Sequence, residues 1–291
     1  MQTEKELYEC HGHLLMDGVD FKAARARHLD GPNRSIVEEE LASLAARGVK
    51  YYRDGGDAQG VSLLGRRLAP DYGIEFATPG FAIHREGLYG GLVGRGYSDL
   101  AGYRGLLRDL REAGGDFVKI MVSGMITFRS YGETSCEHLP AEEIVELIRI
   151  AHGEGFAVML HVNGDDAIRA VIGAGGDSIE HGYFMREETL SQLAESETVW
   201  VPTLAAVAAF IGRKGFDESV ARETVEKQKA ALKFAADRGA SIAAGSDSGA
   251  VGVPHGPGTE TEYRLLAEAG LKPESVRAGS EAIRLRFRRP A

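Results

Sequence analysis

Short apolar, β-branched runs recur along this chain with longer helical patterns between them, and this alternation narrows the fold more than any other feature. The runs at 6–11, 50–54, 74–78, 116–122, 157–162, 178–181, 198–203 and 241–246 read as strands. Residues 141–153 (AEEIVELIRIAHG) follow Pro140, carry a 3.6-period apolar stripe and end at a glycine. The longest helical stretch, 217–238, stops at Gly239. A further helix is expected over 36–47, with Ser35 as its cap and Glu38 completing a capping box. Alternating strands and helices imply a parallel α/β fold. Eight such units in roughly 250 residues match the scale of a (β/α)8 TIM barrel, with a doubly wound open sheet as the alternative. No linker or repeat divides the chain, so residues 1–291 read as a single barrel domain.

Two stretches interrupt the rhythm. Residues 80–97 (GFAIHREGLYGGLVGRGY) are rich in glycine, and 123–140 follow the fourth strand. Loops of that length often form lids or binding loops.

Composition excludes several functional classes. A net charge of −9 argues against a nucleic-acid partner, which would meet a basic face. Arg284, Arg286, Arg288 and Arg289 form one basic cluster, read as a solvated helix end. No apolar run is long enough to span a membrane, and MQTEKELYEC lacks the pattern of a signal peptide. Cys10 and Cys136 are the only cysteines and supply no disulfide framework, so a cytoplasmic location is expected. The expected partner is a small-molecule substrate, and the chain is compatible with a homo-oligomer.

In a barrel of this type the active site lies at the C-terminal ends of the strands. The first strand ends with His11 and His13, which as residues i and i+2 share one side. Lys119 lies in the apolar strand FVKIMV, where a lysine has little access to solvent and loses its proton readily. His161, His181 and Asp247 end the fifth, sixth and eighth strands. One histidine at a strand end is commonly a hydrogen-bonded core residue, and an aspartate there is commonly a cap. Five strand ends carrying ligand or acid–base chemistry make coincidence a poor explanation.

The order His-x-His, Lys, His, His, Asp resembles the amidohydrolase superfamily of metal-dependent hydrolases. The strings CHGHL, DFVKIMVSG, IEHG and AGSDSG are similar to its imidazolonepropionase-related and prolidase-like dipeptidase branch, over roughly 6–286. The resemblance implies that His11 and His13 hold one divalent ion and His161 and His181 a second. Lys119, carboxylated on its amine, would bridge the two ions. Asp247 would bind the first and shuttle the proton as a metal-bridging hydroxide attacks the amide carbonyl. Zinc is the expected ion, with manganese or another divalent ion as the alternative. The deaminase branch places a glutamate three residues after the strand-five histidine; here that position is Gly164. Many members also build a small β-sandwich from both chain ends, whereas here a barrel alone is expected.

The implied activity is hydrolysis of an amide bond in a dipeptide or N-acyl amino acid. Alternatives are a lactone or ester hydrolase using the same site and a metal-binding barrel without turnover. Candidate substrate contacts are His255, Tyr183, His84 and Arg85, with Tyr89, Arg129 and Tyr131 in the same loops. His28, His138 and His152 lie away from strand ends and carry no assigned role.

Overall fold

A computed structural model describes residues 6–289, and every ladder among them is parallel. The strands are β1 (Leu7–Gly12), β2 (Val49–Asp54), β3 (Glu75–Ala77), β4 (Ala82–Arg85), β5 (Gly94–Tyr97), β6 (Val118–Met121), β7 (Val158–Val162), β8 (Ser178–His181) and β9 (Val199–Val201). They pair in the orders β1-β2-β3 and β5-β4-β6-β7-β8-β9. Hydrogen bonds beyond these ladders join the two sets into a TIM barrel.

At one junction the third barrel strand is broken at Pro79–Gly80. Its first half, β3, pairs with β2, and its second half, β4, pairs with β6. Asp116 spans the break: its N–H donates to the Thr78 carbonyl (2.8 Å), and its carboxylate accepts from the Thr78 N–H (2.9 Å). At the other junction lies the run expected as the eighth strand, 241–246, which forms no continuous ladder. It shares its bonds between two neighbours, too few with either for a ladder. Trp200 N–H donates to Ser241 O and Ala243 N–H to Trp200 O (2.9 Å each), while Cys10 N–H donates to Ala244 O (2.8 Å). The segment therefore takes a strand's place between β9 and β1.

Two other expectations are corrected. The 80–97 stretch is not simply a loop, because it contains β4 and β5. Its glycines hid this; a Cβ on Gly94 would lie 2.6 Å from the Ala82 carbonyl, so glycine is what lets the two strands approach. The early helix spans Arg34–Ala46 with Asn33, not Ser35, at its N-cap. Ser35 lies inside the first turn and donates to Asn33 Oδ1 (2.9 Å), while Glu38 pairs with Arg34 instead of reaching back. The helix Ala141–Gly153 keeps its expected bounds and buries Ile144, Leu147, Ile148 and Ala151, one stripe against the sheet. The long helix runs Glu218–Ala236, with the Asp217 carboxylate accepting from the Ser219 N–H at its start.

The barrel interior is filled from almost every strand. Cys10, Tyr51, Ala77, Phe117, Met159 and Val201 form one cluster, closed from below by Ile283 and Phe287 at the end of the helix Pro273–Arg286. The site lies at the opposite end of the strands from this plug. Among the described residues no helix is long and apolar enough to cross a membrane.

Candidate active site

At the C-terminal ends of the strands a cavity of about 770 Å³ opens, and His13, Lys119, His161, His181 and Asp247 line it. His11 lies just beneath, its Nε2 3.6 Å from Asp247 Oδ1; His13 Nε2 is also 3.6 Å from that oxygen. The imidazole rings run in a chain. Centroids are 5.4 Å apart for His11–His13, 4.8 Å for His11–His181 and 4.4 Å for His161–His181. Ligand-type atoms of His11, His181 and Asp247 fall within 4.8 Å of one another. The structure thus brings all six candidate ligands together.

Register explains much of this. Met121 is opposite His161 across β6 and β7, and Val162 is opposite His181 across β7 and β8, so these strands end at one level. Left-handed backbone finishes the job. His181, Thr203 and Asp247 have φ values of 68°, 51° and 60°; His181 ends β8, Thr203 lies two residues beyond β9, and Asp247 follows the 241–246 segment. Such residues cost about 1–3 kcal/mol each and concentrate at functional sites. Gly55 contributes by its size, since a Cβ there would lie 2.3 Å from His13 Cε1.

Hydrogen bonds fix which ring nitrogens face the cavity. Glu180 Oε2 lies 2.7 Å from His11 Nδ1, and a carboxylate only accepts, so Nδ1–H donates and the Nε2 lone pair is left free. Glu180 is held in turn by Arg53, whose guanidinium reaches Glu180 Oε1 (2.7 Å), Ser178 Oγ (2.9 Å) and the Cys10 carbonyl (2.7 Å). His161 Nε2 donates to the Gly124 carbonyl (3.3 Å), leaving its Nδ1 free, and His181 Nδ1 bonds Thr203 Oγ1 (2.8 Å). Glu9, fully buried, accepts from Ser246 N–H (2.7 Å) and from the Ser246 and Thr259 hydroxyls (2.6 Å each), anchoring the segment before Asp247.

Burial sets the charge states. It pushes His13 and His161 down to about 3, and His11 and His181 well below the ordinary value, with the neighbouring cations adding to the effect. The rings are therefore neutral and present lone pairs. Burial also lowers the Lys119 ammonium and raises the Asp247 carboxyl. His11 Nε2, His13 Nδ1 and Lys119 Nζ are buried with no hydrogen-bond partner.

Of the expected substrate contacts, Tyr183 lines the cavity, with its hydroxyl donating to the Thr203 carbonyl (3.1 Å). Tyr89 and Arg129 line it as well. His255 does not: its ring is buried between the Met16 carbonyl (2.8 Å) and Ser248 Oγ (3.3 Å), behind the wall. His84 and Arg85 also point elsewhere, His84 Nδ1 to the Arg85 carbonyl and Arg85 to Glu143. The sequence reading missed Glu180, Arg53 and Glu9; Glu9 and Glu180 are each the one acidic residue of a short strand, whereas Arg53 stands among other charged residues in VKYYRD and carries no such signal. It also missed Asn163, which lines the cavity with its amide on the Gly124 carbonyl (3.3 Å). Gly164 has φ +91°, where an L side chain would be strained.

Residues 38–280 match the amidohydrolase family. An ochratoxinase from Aspergillus niger is 28% identical over 176 residues, which is 57% of this chain and 35% of that protein. The chain thus spans about a third of the length of the curated relatives it matches. Among solved structures, a Xaa-Pro dipeptidase with bound methionine superposes with a TM-score of 0.75 at 20% identity, covering 96% of this chain and 75% of the other. The A. niger ochratoxinase structure gives 0.74 at 22% identity, covering 95% and 68%. These structural likenesses establish the fold.

Proposed function

The chain belongs to the amidohydrolase family, and from that premise we propose that it is a metal-dependent hydrolase of amide C–N bonds, acting on a dipeptide or N-acyl amino acid. One observation carries this reading: three buried nitrogens lack a partner, on His13 and Lys119, which line one cavity with Asp247, and on His11, whose Nε2 lies 3.6 Å from the Asp247 carboxylate. A buried polar atom left unpaired costs about 1–3 kcal/mol. Three together fit divalent cations, which imidazole and carboxylate donors bind.

His11, His13 and Asp247 would hold one ion and His161 and His181 the second, with Lys119 between them. Zinc suits this donor set, and manganese is the alternative. Such a pair, when bound, supplies Lewis acidity toward a carbonyl oxygen and lowers the pKa of water toward neutrality.

The chain's own groups do the rest. The Lys119 amine is buried, which favours its neutral, nucleophilic form. Adding its nitrogen to CO₂ with release of one proton gives a carbamate anion, which supplies the oxygen donors the amine lacks. Glu180 fixes the His11 ring so that Nε2 faces the site. Asp247 takes the proton of the attacking water and returns it to the leaving amine nitrogen. Asn163 and Tyr183, tied by the bond from Tyr183 N–H to Asn163 Oδ1 (3.1 Å), hold the adjoining wall in place.

The test is a panel of dipeptides, N-acyl amino acids and lactones offered to the metal-loaded protein. Amides should turn over, and Asp247→Asn should lose about 100-fold or more in kcat while retaining much of its metal. Unchanged turnover in that variant, or hydrolysis of lactones alone, would contradict the reading.

A further inference from the structure

Away from the histidines the cavity is walled by two loops. The segment after β6 forms a short hairpin, closed by Thr127 N–H to Glu133 O (2.9 Å) and Ser135 N–H to Met125 O (2.8 Å). It brings Met125 and Phe128 to the wall. Residues 209–217, ahead of the long helix, bring Phe210 and Phe216. The three phenylalanines interlock: ring centroids are 4.4 Å apart for Phe128–Phe210, 4.6 Å for Phe210–Phe216 and 5.8 Å for Phe128–Phe216. Yet the cluster is not sealed into the core. Phe216 is 44% exposed and Met125 48%, so solvent meets apolar surface on two cavity-wall residues. Clustered apolar exposure of this kind marks a binding surface.

Charge is scarce on these walls. Apart from Lys119 and Asp247, the charged residues lining the cavity among those described are Arg129, Arg213 and Asp217. Arg129 is 84% exposed along its side chain and pairs with Glu133, Arg213 is exposed with its guanidinium 5.9 Å from the Phe210 ring centroid, and the Asp217 carboxylate is engaged in capping the long helix. The walls therefore offer no buried partner for the charged ends of a dipeptide. The volume, about 770 Å³, is that of a pocket for a drug-sized ligand and exceeds what a small dipeptide fills.

We infer that the substrate is an amide carrying a bulky, uncharged aromatic group, seated against Phe128, Phe210 and Phe216, which act as specificity-determining residues. This rests on the amide-hydrolase reading and narrows it. Aromatic rings prefer offset or edge-to-face neighbours, and three rings at differing tilts offer both. If the cluster served only to tie the two loops together, disturbing it would affect all substrates alike.

The experiment compares kcat/KM of the metal-loaded protein for N-(2-naphthoyl)glycine and glycine 2-naphthylamide with that for N-acetylglycine and glycylglycine. At least one naphthyl amide should be preferred by about 100-fold. In Phe128→Leu and Phe210→Leu, which keep apolar bulk, the naphthyl-to-acetyl ratio should fall about tenfold, the worth of one aromatic pair. Equal kcat/KM across the panel, or variants that lower every substrate equally, would overturn the inference. Calorimetric titration of the metal-free protein with 2-naphthamide reads the same surface without turnover. Binding should weaken about tenfold in each variant, and absent or unaltered binding would overturn it. Naphthamide binding without hydrolysis of any amide would defeat the hydrolase reading and leave the aromatic subsite standing. Hydrolysis of N-acetylglycine with no naphthyl preference would do the reverse.

Discussion

Replacing Arg53 by methionine keeps most of the side-chain volume but removes the cation on which the buried end of the site depends. Arg53 and Glu180 are both fully buried, and their 2.7 Å contact is the only ion pair among the described residues with both side chains at 0% exposure. The substitution strips donors from Glu180, Ser178 and the Cys10 carbonyl, and leaves Glu180 with the Ser178 hydroxyl and His11 Nδ1–H alone. Breaking a buried pair from one side costs about 3–5 kcal/mol, because the remaining charge stays uncompensated. With a urea slope of about 3 kcal/mol/M, the unfolding midpoint should fall by about 1–1.7 M at unchanged slope. Removing both charges, in Arg53→Met with Glu180→Leu, should recover most of that stability. The double variant should nevertheless bind metal about 10–100-fold more weakly in chelator competition, since His11 loses the carboxylate that orients it. A single variant costing less than about 1 kcal/mol, or a double variant no more stable than the single, would refute the role assigned to the pair.

Three further outcomes are expected. Glu262 is buried and accepts the Leu204 and Ala205 N–H groups (3.1 and 2.7 Å) at the start of the helix Leu204–Ala208; Glu262→Ala should cost about 2–5 kcal/mol in chemical denaturation, and Glu262→Gln less. A Cβ on Gly279 would lie 2.2 Å from the Ile242 carbonyl, so Gly279→Ala should push the last helix off the closing segment and lower stability by about 3 kcal/mol in the same assay. The His152 imidazole is raised above its ordinary value by its hydrogen bond to Asp177 (2.8 Å). A raised histidine adds stability that is fully present below about 6.5 and is lost as pH rises through the folded-state value. Thermal melts at pH 5.5 and 8.5 should therefore show His152→Gln destabilised at the lower pH and close to wild type at the higher.

The barrel was legible because its signal is periodic. The apolar runs carry the strands and Pro140 opens its helix, so those bounds are local properties of the sequence. The candidate site was legible for a different reason: histidine and aspartate at strand ends and a lysine inside an apolar strand announce their chemistry by type. What remained hidden depends on distant partners. Arg53 and Glu180 are 127 residues apart and make sense only once β2 and β8 face each other. The 241–246 segment is strand-like in sequence, but its bonds are divided between β9 and β1. His255 follows a site strand, as expected, yet its ring turns inward to the Met16 carbonyl, 239 residues away. Phe128, Phe210 and Phe216 belong to no pattern in the sequence, and only the meeting of two loops reveals them.

The central claim, amide hydrolysis that depends on divalent ions held by this cluster, is met most directly by titrating the chelator-stripped protein with zinc or manganese while following both bound metal and amide turnover. Turnover should be absent without metal, rise through two equivalents per chain and then saturate, with Lys119→Met holding no more than one. Amide hydrolysis that persists in the stripped protein, or a wild-type chain that binds no divalent ion at any loading, would contradict the account.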